Sequence, residues 1–328
     1  MWGCAVTGPG LSEIEAAAKL LDGVTVKTPV LPLSSTRWED ALPDCASVTV
    51  KLELFQQAGS FKARGAYLGI AALTDDQRAA GVVAASGGNH ALAVSWAARA
   101  AGVDALITMP KATDPLRVAG CEALGATVEL YDDMAAAFAA MEDAAAQGRA
   151  LMHPFEAPHM VSGSGTCGME YCAQASEIDT FVVPIGGGGL ISGMAAAIKQ
   201  IRPDAQVIGV EPVGADSMYR SFAARAPIKL EKVDTIADSL GAPLALPYSF
   251  SVAHAHVDRI VHVTDQDMLV AMGLYRENLQ IIAEPACAAS LAAIRGPLRD
   301  DLAGRHVGII ACGSNIGLPR YQELMANV

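Results

Sequence analysis

Short β-branched runs alternate along this chain with longer, Ala-rich helical stretches. "SVTVKL" (47–52) reads as a strand and 61–72 as the helix after it. "GVVAA" (81–85) is a second strand, followed by "NHALAVSWAARAAG" (89–102), a helix that Gly102 closes. "DALITMP" (104–110) is a strand stopped by Pro110, with a helix near 114–124, the strand "ATVELY" (126–131) and a helix over 134–147. "DTFVVP" (179–184), "AQVIGVE" (205–211) and "RHVGIIA" (305–311) continue the series. Strands alternating with helices imply crossover units, and so an α/β fold with parallel sheets covered on both faces. Near the start, "SEIE" (12–15) has the form of a capping box and predicts a helix from Ser12. The segment 225–258, with its prolines and scattered polar residues, reads as the least regular part, as an active-site or interface loop would.

Composition narrows the function classes. With 328 residues and 52% hydrophobic content, the chain can form one large domain or two. Its formal net charge of −12, without any Lys/Arg run, argues against a nucleic-acid binder. No apolar run reaches the roughly 18 residues expected of a membrane span. "MWGCAVTGPG" lacks the basic and apolar regions of a secretory leader. Seven cysteines without a Cys-x-x-Cys spacing fit neither a disulfide framework nor a structural zinc site. A soluble, cytoplasmic α/β protein is expected.

Three turns carry candidate chemistry. In "VVPIGGGGLISGMAAAIK" (182–199) a strand ends, four glycines follow and a helix begins. Consecutive backbone N–H groups there can point at an anion, with the helix dipole behind them. A tight turn alone needs one or two glycines, so a phosphate is the natural guest. The dinucleotide pattern G-x-G-x-x-G fails at Ser192, although Glu211 lies about 20 residues on, where a ribose-binding acid belongs. A nucleotide-dependent oxidoreductase therefore stays open as an alternative. In "AASGGNHALAV" (84–94), Asn89 can cap a helix, and the Ser86 hydroxyl with the N–H groups of 87–90 can bind a carboxylate. In "IIACGSNIGL" (309–318), Cys312 stands at a strand's carboxyl end, where parallel sheets bind ligands. It reads otherwise as a small buried apolar residue.

A fourth feature is "GSFKARGA" (59–66). Lys62 is either a solvated lysine at a helix start or a nucleophile held by a tight turn. A lysine, a phosphate cradle and a carboxylate cradle together are the parts that pyridoxal phosphate needs to act on an amino acid.

In these motifs the sequence resembles the fold-type II pyridoxal-phosphate enzymes, specifically the threonine/serine dehydratase and serine racemase group. The resemblance rests on "LELFQQAGSFKARGA", "SGGNHA", "HP" at 153–154, "GGGGL", "EPACAASLAA" and "CGSN", and covers nearly the whole chain. It implies a two-domain, tryptophan synthase β-like α/β fold. The large cofactor-binding domain would comprise 1–71 and 153–328, and a small substrate-closing domain 72–152. It implies pyridoxal 5'-phosphate bound covalently at Lys62, which would later act as the base. Phe61 would border the cofactor ring, and Asn89 would donate to its 3′-oxygen. Gly186, Gly187, Gly188, Gly189 and Leu190 would hold the phosphate. Ser86, with a catalytic role, would surround the substrate carboxylate together with Gly87, Asn89 and His90. Cys312 would meet the pyridine nitrogen as a weak, neutral partner.

The resemblance further implies α,β-elimination from a small 3-hydroxy amino acid, L-threonine or L-serine, giving a 2-oxo acid and ammonia. A homodimer or other homo-oligomer is expected. Racemases of the group carry a serine where this chain has Gly87, which disfavours racemisation of serine or aspartate. The group's divalent cation site (Mg or Ca) maps to Glu211, the carbonyl of Ala215 and Ser217, where the second acid is lost. A 3-hydroxyaspartate dehydratase would need a cation for the second carboxylate. The helix 132–148, where the group can place an arginine for it, has no basic residue, leaving His159, Arg220 and Arg64 to reach in. A β-replacement synthase differs in its lysine and substrate-loop motifs, and a catalytically silent binding protein would have little use for Lys62. Within these 328 residues, the regulatory domain of feedback-inhibited threonine deaminases is not expected.

Overall fold

The computed structural model describes residues 8–326 and 328; residues 1–7, read above for a leader, lie outside the described residues. Ten strands form two sheets among the described residues. These are β1 (Val30–Pro32), β2 (Ser47–Lys51), β3 (Val82–Ala85), β4 (Ala105–Pro110), β5 (Thr127–Tyr131), β6 (Ala150–Leu151), β7 (Thr180–Pro184), β8 (Gln206–Pro212), β9 (Arg259–Val263) and β10 (His306–Ile310). The larger sheet has the order β1-β2-β10-β7-β8-β9, and the smaller one β5-β4-β3-β6. All pairings are parallel except β1 with β2.

Parallel strands need crossovers, and the Ala-rich helices supply them. β2, β7, β8 and β10 are almost wholly buried, as strands covered on both faces must be. Gly102 closes its helix in the left-handed conformation, as its sequence position predicts. Two expectations are corrected. The first helix runs Leu11–Leu21 and is capped at Gly10, because the Glu13 carboxylate accepts from Gly10 N at 2.8 Å; Ser12 is inside it. The segment 225–258 contains a regular helix, Pro247–His256, with proline at its first position. The six described cysteines are all free thiols. No described helix is long and apolar enough to cross a membrane.

Candidate active site

Lys62 opens the helix Lys62–Ala71, just after a turn that only glycine can make at its tightest point. Gly59 has φ +70, and a Cβ there would stand 2.6 Å from Asn315 Oδ1. Phe61 N donates to Cys312 O at 3.1 Å and Ser314 N to Gly59 O at 3.1 Å, so the turn is stitched to the loop after β10. Two residues on, Arg64 is buried and forks onto Glu53, 2.9 Å from Nε and 2.7 Å from Nη2. Burial pushes the Glu53 carboxyl up, but the guanidinium outweighs it and holds the group below its ordinary value. Glu170 bridges Arg64 to the buried Lys51, which also donates to Thr28 O. This ionic layer anchors the lysine helix from below.

The Lys62 amine donates to the carbonyl of Pro154 at 2.5 Å and lies 5.2 Å from the centre of the Phe61 ring. Burial draws its pKa down to about 8. Cys312 is close enough to act on it electrostatically, and burial pushes that thiol well above its usual value, keeping it neutral.

The glycine loop follows β7 and leads into the helix Gly189–Ile201. Three of the four glycines are needed for space or conformation, and a Cβ on the fourth, Gly189, would stand 3.0 Å from Phe155 Cβ. A Cβ on Gly187 would lie 2.2 Å from the Phe155 ring, and one on Gly186 2.7 Å from Ser239 O. Gly188 has φ +91. The loop therefore exposes peptide groups at a helix N-terminus, as an anion site requires. Leu190 is buried in the first turn.

The Ser-Gly-Gly-Asn loop, the candidate substrate loop, follows β3. Ser86 Oγ accepts from Gly88 N at 3.1 Å, which leaves its own hydrogen free. Asn89 Nδ2 donates to Glu284 Oε1 at 2.6 Å and faces Ser239 Oγ at 3.4 Å, while its Oδ1 accepts from Asn315 at 2.7 Å. The His90 ring turns inward, 2.8 Å from Met152 O, and burial holds its pKa well below the usual value.

Lys62, Phe61, Ser86, Gly87, Asn89, His90, Gly186 to Leu190 and Cys312 all line one cavity of about 1720 Å³. The three cation-site residues are not part of it. Both Glu211 oxygens accept backbone N–H groups, Met218 at 2.9 Å and Tyr219 at 2.7 Å, and burial raises its pKa to about 8. Ala215 and Ser217 are buried beside it, and Asp216 is engaged by Arg220. No group of three or more His, Cys, Asp or Glu suited to a metal occurs among the described residues. His159, Arg220 and Arg64 lie elsewhere: His159 packs on Gly69, Arg220 pairs with Asp216, and Arg64 with Glu53.

Sequence reading missed three lining residues. Arg117 is buried and donates to Asn315 O (2.8 Å), Gly87 O (3.1 Å) and Asp238 (2.5 Å), with Glu284 at 3.7 Å. Burial raises the Glu284 carboxyl above its ordinary value, and Arg117 offsets part of that. Thr113 presents an unpartnered hydroxyl. Glu284 opens the "EPACAASLAA" motif and was findable there; Arg117 and Thr113 carry no local signal.

A buried amine, a peptide-lined anion loop and a neutral thiol line one cavity in an α/β fold of two parallel-rich sheets, the groups that a fold-type II pyridoxal-phosphate site calls for. The comparisons with known proteins agree. Residues 22–313 match the family model "Pyridoxal-phosphate dependent enzyme", and the chain belongs to that family. It is 44% identical over 310 residues to phenylserine dehydratase of Ralstonia pickettii, covering 94% of each chain. It is 33% identical to L-threo-3-hydroxyaspartate ammonia-lyase of Saccharomyces cerevisiae, covering 97% of each. Among solved structures, maize serine racemase superposes with a TM-score of 0.90 at 33% identity, covering 98% of both chains. The cofactor is pyridoxal phosphate, and the residues present fit it.

Proposed function

We propose that this protein is an ammonia-lyase that eliminates water from a neutral 3-hydroxy amino acid, releasing a 2-oxo acid and ammonia, and that it favours a large apolar group on the third carbon. Threonine and serine belong to the same class as smaller substrates. The observation that carries the preference is the apolar mouth of the cavity. Leu116, Met134 and Leu318 line it 56%, 37% and 54% exposed, together with the less exposed Phe138 and Leu324. Large apolar side chains grouped at a cavity mouth favour an apolar guest. The likeness to the Ralstonia pickettii enzyme, named for a phenyl-bearing substrate, supports the same reading.

The likeness to the yeast hydroxyaspartate enzyme points to a diacid instead. A second carboxylate in a closed site needs a free cation. Arg117 is the cation beside the Ser-Gly-Gly-Asn loop, and Asp238 and Glu284 already engage it; Arg320, also on the cavity lining, pairs with Glu323, which leaves Lys229 as the lining cation a diacid would have to recruit. That favours the neutral substrate.

In this reading the N–H groups of Gly186 to Leu190 would hold the cofactor's phosphate, Cys312 would stand at its ring nitrogen as a neutral donor, and Lys62 would hold it covalently until the substrate's amine takes that place and frees the Lys62 amine. Bound pyridoxal phosphate supplies the electron sink that acidifies the substrate's α-carbon. Lys62 Nζ, with its pKa near 8, is partly neutral at physiological pH and takes the α-proton. Ser86 and the N–H groups at the start of the helix Asn89–Ala101 orient the carboxylate. Phe138 and Met134 cover the third substituent and exclude water. The hydroxyl departs as water, and hydrolysis of the unsaturated amine gives the 2-oxo acid and ammonia.

The test is 2-oxo acid release from L-threo-3-phenylserine, L-threonine, L-serine and both L-3-hydroxyaspartate diastereomers. The expected order of kcat/KM places phenylserine first and the diacids last. A preference for either diacid overturns the substrate reading, and no 2-oxo acid from any of them overturns the activity.

A further inference from the structure

Gly87 and Thr113 meet at the edge of the substrate loop. A Cβ on Gly87 would stand 2.8 Å from Thr113 Oγ1, with Pro110 Cδ at 3.5 Å and Thr113 Cγ2 at 3.6 Å. Gly87 is not among the glycines with positive φ, so backbone conformation does not require glycine there. The threonine hydroxyl does.

That hydroxyl is shielded from solvent and has no hydrogen-bond partner in the protein. A buried hydroxyl left unpaired is costly, so one that persists calls for an explanation. Its own segment is held firmly. Thr113 N donates to Pro110 O at 3.0 Å. The next residue, Asp114, caps the helix Pro115–Ala123 through Leu116 N at 2.9 Å and accepts from Gly317 N at 3.2 Å. Thr113 lines the same cavity as Lys62, Ser86 and Asn89.

We propose that Thr113 is a substrate-binding residue whose hydroxyl donates a hydrogen bond to the carboxylate of the amino-acid substrate. The chemistry of the neighbours selects that group. Ser86 has its hydrogen free, because its oxygen already accepts from Gly88 N, and the N–H groups of a helix start lie next to it. Thr113 adds a second hydroxyl donor to this anion cradle, and rotation about its Cβ–Oγ1 bond aims the hydrogen at the ligand while the oxygen stays beside Gly87. Gly87 is bare so that this hydroxyl can stand against the loop. The proposal rests on the reading of the protein as an enzyme of amino acids.

Thr113→Val keeps the shape and removes the donor. It is expected to raise KM for the best substrate about tenfold, as loss of one hydrogen bond to a charged group does, with kcat within about threefold. The Kd of L-alanine, which has no hydroxyl to eliminate, read from the absorbance of the bound cofactor, weakens by a similar factor. Thr113→Ser restores both. Gly87→Ala, which pushes the hydroxyl aside, raises KM alone but adds less than about twofold on top of Thr113→Ala. Unchanged KM and Kd in Thr113→Val overturn the proposal, as does a fall in kcat at constant KM, which would make the hydroxyl a proton carrier. If Gly87→Ala and Thr113→Ala act additively, the two residues are uncoupled and the proposal fails. These outcomes are read against a wild-type enzyme that turns over an amino acid; a wild type without such turnover removes this proposal together with the function it rests on.

Discussion

Asn89 Nδ2 donates a 2.6 Å hydrogen bond to Glu284 Oε1, joining the first residue of the substrate-loop helix to the cap of the helix Pro285–Arg295. The bond crosses from the small sheet's layer to the large one's, beside the cofactor cavity.

Burial raises the folded Glu284 pKa above 4.5, and Arg117 offsets only part of that rise. A raised folded value means that the native state binds the extra proton. This carboxyl therefore lowers stability progressively as pH rises from 4.5 through the folded value. Glu284→Gln keeps an acceptor for Asn89 and removes the titration. Its Tm, compared with wild type at each pH, is expected to gain as pH rises above 4.5. A relative loss over that range would mean that the ion is the favoured form.

The glycine loop makes a steric prediction. Gly187→Ala drives a methyl group into the Phe155 ring, which lies 2.2 Å from the Cβ position. Cofactor affinity should fall at least about tenfold, measured by fluorescence titration of the apoprotein, and Phe155→Ala in the same chain should recover part of it. Equal cofactor affinity in Gly187→Ala and wild type would show that the loop does not carry the phosphate.

Acid lability has a source close to the site. Burial lowers the pKa of His153 and of His159 from 6.5 to about 4. A lowered folded value costs stability as pH falls from 6.5 to about 4, because the unfolded chain takes the proton first. For His159 the gap is worth up to about 3 kcal/mol. His159→Leu should flatten the fall in Tm between pH 6.5 and 4.5. A variant that loses Tm in parallel with wild type would assign the acid limb to other groups.

Racemisation needs a proton delivered to the substrate face opposite Lys62. Gly87 has no side chain for it, and the Ser86 hydroxyl, whose hydrogen is free, is the donor assigned above to the substrate carboxylate. In deuterated water with L-serine, 2-oxo acid should form much faster than D-serine, followed by chiral chromatography. Comparable rates would place a second-face acid in the cavity.

The strand-to-helix turns were legible in the sequence because each is a local device, with glycines or a cap at fixed spacing. β3, β7, β8 and β10 fall within a residue of their expected bounds for that reason. β6 is two residues long and β1 three, too short to show a pattern. The helix Pro247–His256 has no distinct apolar stripe to give it away. In the site, Lys62, the glycine loop and Ser86 sit on contiguous motifs. Arg117 and Glu284 do not: Arg117 reaches Asn315 across 198 positions, and Asn89 reaches Glu284 across 195. Only the fold brings such partners together, and a single arginine or threonine in a helix approach looks like any solvated residue until then.

The central claim is that Lys62 holds the cofactor. Borohydride reduction of the holoenzyme followed by peptide mapping tests it directly. The account predicts that the reduced cofactor is found on the peptide containing Lys62, and that Lys62→Ala loses both the label and 2-oxo acid release. Label on Lys51, which is buried against Glu170, or on Lys111, which pairs with Asp132 at the surface, would contradict it.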